Sequence, residues 1–152
     1  MNKSELSRLN DPIEKQLYND FLKQEKIFKK INFNEKISIL IITDRNFGWS
    51  KGLQELFLKS SPNLNVGLIF DYQDDYIPAA DVLIISGYLK NKDNYKILDR
   101  MKSKNKNVIA IMYANLDELI VDICTEYDIQ HMYERQENSA YDFLCYINGL
   151  VA

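Results

Sequence analysis

The sequence predicts an α/β fold: a five-stranded parallel sheet in the order 2-1-3-4-5, helices on both faces, and an extra helix at the N-terminus. Three observations carry this. Five short aliphatic, β-branched runs recur from Lys36 onward. Most are nearly continuous in apolar residues rather than alternating, the mark of strands buried on both faces. The stretches between them mostly carry apolar residues at helical spacing. Strict strand–helix alternation closes as a parallel sheet with right-handed crossovers, and 2-1-3-4-5 is a usual order for five such units.

Taken in order, residues 1–10 are polar and read as a frayed end. Asp11-Pro12-Ile13-Glu14 reads as a helix start. Asp11 can cap, Pro12 suits the first helical position, and Glu14 can reach back as in a capping box. Ile13, Leu17, Phe21, Phe28 and Ile31 make an apolar stripe with Tyr18 and Leu22 beside it, so a helix is expected over Asp11 to Ile31. Such a face must be buried somewhere: against the chain's own sheet, a second copy, or a partner.

Ile37 to Ile42 is the first strand, and Trp49, Leu53, Leu56 and Phe57 mark the helix after it, ended by Ser61-Pro62-Asn63. Val66 to Phe70 is the second strand. Asp71 to Ala80 is a polar loop whose Asp71, Asp74 and Asp75 lack calcium-loop spacing, with Tyr76 where a glycine would be needed. Val82 to Ile85 is the third strand, Tyr95 to Lys104 a helix with Ile97, Leu98 and Met101 inward, and Val108 to Met112 the fourth strand. Asn115 is placed to cap the next helix, with Glu118 three residues on. The stripe of that helix is Leu116, Leu119, Ile120, Ile123, Cys124 and Tyr127. Ile129 to Tyr133 is a weaker fifth strand. Ser139 opens a last helix with Ala140, Phe143, Leu144, Ile147 and Leu150 on one face. The division expected is a helical extension over 1–35 and an α/β domain over 36–152.

Composition narrows the function. Net charge is −3 with acids and bases mixed, which gives no bulk attraction to nucleic acid. No apolar stretch approaches the ~20 residues needed to span a bilayer, and the polar N-terminus lacks a secretory h-region. Two cysteines, Cys124 and Cys145, are too few for a disulfide scaffold. A cytoplasmic protein is expected, without membrane or direct nucleic-acid contact. His131, the lone histidine, has no metal-spaced companions, so no metal is expected. Asn46-Phe47-Gly48-Trp49-Ser50 has one glycine among bulky neighbours and is neither a dinucleotide fingerprint nor a P-loop. Trp49 reads as core, and no cofactor is expected.

In an open α/β sheet, ligands bind beyond the carboxyl ends of the strands. Those ends here are Thr43-Asp44-Arg45-Asn46, Ser86-Gly87-Tyr88, Tyr113-Ala114 and Glu134-Arg135. With the run Asp81-Val82-Leu83-Ile84-Ile85-Ser86 and the run Val108 to Ala114, these residues make Lys36 to Val151 resemble a response-regulator receiver domain, the flavodoxin-like module of bacterial phosphorelays. Receivers place two acids after the first strand, a phosphoacceptor Asp after the third, Thr or Ser after the fourth and Lys after the fifth. Those places hold Thr43 with Asp44, then Ser86, Tyr113 and Arg135, the last to within about one residue. The resemblance therefore implies a degenerate pocket. Mg²⁺ usually needs one or two carboxylates plus phosphate, and Asp44 alone is a poor site. Ser86 has no adjacent base to activate it. Tyr113 would crowd a phosphoryl group, and Arg135 has the charge to pair with Asp44 across the empty space. Each residue also has a plain reading: Asp44 as a helix cap, Ser86 as a small strand end, Thr43 as a β-branched strand residue, Arg135 as a solvated charge.

The function implied is a non-catalytic pseudo-receiver, a regulatory or interaction module in bacterial signalling or transcriptional control. It would bind another protein or a second copy of itself. By analogy the partner face would present Asp117, Asp122, Glu126, Gln130 and Tyr146. A phosphotransferase-system B-like phosphocarrier is a second reading, opposed by the absence of a cysteine directly after the first strand. A flavin- or nucleotide-binding flavodoxin-like protein is a third, opposed by the loop at Asn46 to Ser50.

Overall fold

Five parallel strands form the sheet: β1 (Ile37–Thr43), β2 (Leu64–Phe70), β3 (Val82–Ser86), β4 (Val108–Tyr113) and β5 (His131–Glu134). Their order is β2-β1-β3-β4-β5, as the sequence predicts. The computed structural model describes residues 1–25, 31, 33, 35–70, 80–87, 89, 95–102, 108–135 and 139–151, with side chains at 100–102 excepted. The acidic loop around Asp74, together with Phe28 and Met101 of the expected stripes, falls outside what is described.

The period of two along each strand sorts its side chains between two cores. Ile37, Ile39 and Ile41 of β1, Val82 and Ile84 of β3, and Tyr133 of β5 face one layer. That layer is built from α3 (Phe47–Ser60) and α6 (Ala140–Val151). Leu40, Ile42, Leu83, Ile85 and Ile111 face the other, built from α4 (Ile97–Lys102) and α5 (Glu118–Glu126). Burial on both faces is why these strands lack polar alternation.

The N-terminus departs from expectation in two ways. Residues 1–10 are not frayed: Lys3–Leu9 forms α1, capped by the Asn2 side chain, which accepts from Glu5 N at 2.9 Å. The second helix, α2, spans Pro12–Gln24 and is capped by Asp11, whose carboxylate accepts from Ile13 N at 2.9 Å. Its stripe is rotated from the one expected. Ile13 is 71% exposed and Leu22 is exposed too, while Glu14 and Phe21 are buried. The helix folds back on α3 of its own domain, and α3 is shaped to receive it. A Cβ on Gly48 would sit 1.8 Å from the Glu14 carbonyl oxygen, and one on Gly52 would sit 2.4 Å from the Phe21 ring. Two glycines four apart on one helix face let the backbones close, and Phe21 meets Trp49 edge to face with centroids 5.0 Å apart.

Two further expectations are corrected. α5 is capped by Asp117, whose carboxylate accepts from Ile120 N at 2.9 Å, rather than by Asn115. Starting two residues later leaves Leu116 and Leu119 exposed, and the inward stripe is Ile120, Ile123, Cys124 and Tyr127. On α6, Leu150 is exposed and lies off the buried face. Among the described residues no helix is long and apolar enough to cross a membrane.

Candidate functional site

The carboxyl ends of β1, β3, β4 and β5 converge where the strand order reverses, beside the first turn of α3. The β3 terminus is sealed. Ser86 is 0% exposed. Its hydroxyl lies 2.9 Å from Asn46 Nδ2 and 2.8 Å from Ser50 Oγ, and Ser50 Oγ lies 2.6 Å from the Asn46 carbonyl. Each hydroxyl has one proton. Giving Ser50's proton to that carbonyl leaves Ser86 donating to Ser50 and accepting from Asn46. The Ser86 proton is then committed to Ser50, and among the described residues no carboxylate or imidazole is hydrogen-bonded to this hydroxyl.

Asn46 is the plug of this network, and its orientation is fixed from both ends. Its Oδ1 accepts from Arg135 Nη1 at 2.7 Å while Nδ2 faces Ser86. Its backbone N–H donates to Thr43 Oγ1 at 3.2 Å. Gly87 has φ +78°, and a Cβ there would meet Asn46 Cβ at 2.9 Å. Glycine is therefore required both by the left-handed backbone and by the space Asn46 takes. Arg135 stacks on the Trp49 ring, its guanidinium carbon 4.9 Å from the centroid. Burial pulls its pKa down from the ordinary arginine value, against a smaller upward pull from Asp20.

Asp44 is buried, and its backbone carbonyl accepts from the Arg8 guanidinium. Arg8 Nε also lies 3.6 Å from the Glu14 carboxylate. Glu14 does not reach back along its own helix as expected. Its carboxylate accepts from Phe47 N at 2.7 Å, the first N–H of α3. Asn46, the cap residue of α3, makes no side-chain cap bond of its own. At the far end of α2, Glu25 does the same for α6, accepting from Ala140 N at 2.5 Å. Two carboxylates flanking one helix thus cap two others, where helix dipoles favour negative charge. In both, burial raises the pKa above the ordinary glutamate value, against the N–H bond that lowers it. Lys51 pairs with Glu5, Tyr18 OH donates to Glu55 at 2.7 Å, and Gln24 Nε2 donates to the Arg135 carbonyl at 2.6 Å.

Of the five pocket residues read from sequence, Thr43, Asp44 and Ser86 lie buried together, and Tyr113 and Arg135 line an open cleft beside them. The cleft holds about 250 Å³ and is walled by Leu17, Ala114 and Ile120, with Arg45, Asn46 and Asp117 at its polar side. Asp117, Asp122, Glu126, Gln130 and Tyr146, expected by analogy on a partner face, are exposed. Asp117 doubles as the α5 cap, and Tyr146 OH sits 2.7 Å from His131 Nδ1. Among the described residues no group of three or more His, Cys, Asp or Glu is placed to hold a metal. Sequence reading missed Asn46, Ser50, Arg8 and Glu14. The signal available for the last two was the Gly48/Gly52 pair, which marks a face meant for close helix contact.

Solved receiver domains share this fold. The BeF3-activated DrrB receiver domain aligns with a TM-score of 0.59 at 15% identity, over 76% of this chain and 97% of that one. A LuxR-family DNA-binding response regulator from Staphylococcus aureus gives 0.57 at 14%, over 76% and 99%. The Thermotoga maritima response regulator DrrB, an OmpR/PhoB homolog, gives 0.53 at 14%, over 76% of this chain and 52% of that one. At such identities the likeness is one of fold. No family model and no curated protein matches the chain.

Proposed function

We propose that this chain is a receiver-fold regulatory module that does no phosphoryl chemistry and acts by binding another protein or a second copy of itself. One observation supports it above the rest. The residue at the end of β3 is a serine, fully buried, with its hydroxyl engaged by Asn46 and Ser50. An in-line phosphoryl transfer needs an open approach, a metal and an activated nucleophile. Asn46 fills the approach, and a hydroxyl that donates to another hydroxyl has no base to take its proton. Phosphorylation would also require breaking both bonds, each net worth about 0.5–1.5 kcal/mol. In this reading the fold works through its surfaces in signalling or transcriptional control.

The test is incubation with acetyl phosphate and Mg²⁺, followed by intact-mass measurement and peptide mapping. The mass should stay unchanged. A phospho-adduct on Ser86, Asp44 or Thr43 would overturn the proposal.

A further inference from the structure

We propose that the open cleft beside Asn46 is a binding site for a small organic anion with a compact apolar body, its anionic head on Arg135 and Arg45. The proposal stands apart from the absence of phosphoryl chemistry: the cleft meets the sealed network only at the outer side of Asn46, and a ligand on Arg135 needs no access to Ser86.

Arg135 carries the argument. An arginine has five N–H donors. Among the described residues one is engaged by a side chain, through the neutral amide of Asn46, and the ring of Trp49 covers one face. Among the described residues no carboxylate lies in ion-pair range of Arg135, yet the group is partly withdrawn from water. Buried charges are normally paired or fully hydrogen-bonded. Here the remaining donors border a cleft. Arg45, exposed on the same rim, makes no hydrogen bond or ion pair among the described residues. Asp117 is the opposing charge, and one of its oxygens is held by the α5 N-terminus. Among the described lining residues, two cations stand against one anion, an excess of one positive charge.

Size and walls set the rest of the ligand. About 250 Å³ lies below the ~300–1,000 Å³ of drug-sized pockets, so a compact molecule fits. Leu17, Ala114 and Ile120 offer apolar contact that an inorganic ion would not use. Carboxylate and phosphate-ester heads share the chemistry that Arg135 recognises.

Trp49, the one tryptophan of the chain, provides the readout because the Arg135 guanidinium lies against its ring. Its emission should be titrated with benzoate, phenyl phosphate, benzamide, acetate and inorganic phosphate. Saturable change with benzoate or phenyl phosphate, at least tenfold tighter than with benzamide, acetate or inorganic phosphate, is expected. Which of the two wins identifies the head group. Arg135→Gln should weaken binding at least tenfold. Ala114→Leu, which narrows the cleft and keeps both arginines, should do likewise, with folding of each variant verified by circular dichroism. Equal response to benzamide, equal affinity for inorganic phosphate, or binding that survives Ala114→Leu would each overturn the proposal.

Discussion

The two flanks of this sheet are finished differently. On the flank of β1 and α3, two extra helices close over the rim with polar ties to Asp44, Phe47, Lys51 and Glu55. Phe21 is seated on Gly52 and Trp49. At the other flank β5 is an edge strand, and α2 reaches it just past the strand's end, where Gln24 donates to the Arg135 carbonyl. Met132 and Tyr146 stand exposed beside a shallow depression of about 270 Å³. The difference teaches where the chain spends its own surface. The β1 rim is consumed by intramolecular packing, so under the proposed regulatory reading a partner meets the molecule at the β5 flank.

The largest effects should come from breaking the covered flank. Phe21→Ala removes a buried ring and is expected to cost about 3–5 kcal/mol in chemical denaturation. Gly48→Ala should cost about 1–3 kcal/mol, because its new methyl meets a backbone carbonyl that cannot rotate away. Gly52→Ala should cost less, since the atom it meets belongs to a side chain. If Gly48→Ala were neutral, α2 would not lie against α3 in solution.

The contrast between flanks also explains what was legible in the sequence. The strands could be read because burial on both faces leaves an uninterrupted aliphatic signature, as in Ile37 to Ile42. The strand ends follow from the same runs, so Ser86 stands at the end of β3 and Asp44 directly after β1. The extension was misread because its logic is tertiary. Glu14 sits where a capping box would use it, and local pattern assigns it to its own helix. Its actual partner is Phe47 N, 33 residues away in sequence. Ile13 reads as core by hydrophobicity and is exposed because Glu14 took the inward position. Asn46 carries no periodic signal; only the space above Ser86 gives it meaning.

A subtler way to probe the covered flank is pH. Burial raises the pKa of both Glu14 and Glu25 in the folded state. A carboxyl whose folded pKa exceeds its unfolded value binds its proton more tightly when folded, so its stabilising contribution grows as pH falls. That contribution is complete below the unfolded value and is lost as pH rises through the raised one. The double variant Glu14→Gln/Glu25→Gln should therefore melt at a temperature equal to or above the parent at pH 7. It should also lose part of the parent's gain between pH 7 and pH 5. Thermal melts at the two pH values decide this. An unchanged pH slope in the variant would show that neither carboxyl is desolvated as described.

The smallest effect on stability belongs to the open flank. Met132→Lys replaces an exposed side chain on an edge strand, where charge is tolerated and discourages strand-to-strand pairing. It should alter stability by no more than about 0.5 kcal/mol, the usual range for surface changes, and leave the melt of the parent essentially intact. The same substitution should reduce self-association, if the parent self-associates, when the two are compared by light scattering at equal concentration. Comparing it with Phe21→Ala sharpens the argument, because both replace large apolar side chains and differ in which flank they occupy. A loss for Met132→Lys that approached the loss for Phe21→Ala would mean that the β5 flank is packed rather than open, and the surface offered to partners would have to be sought elsewhere on the molecule.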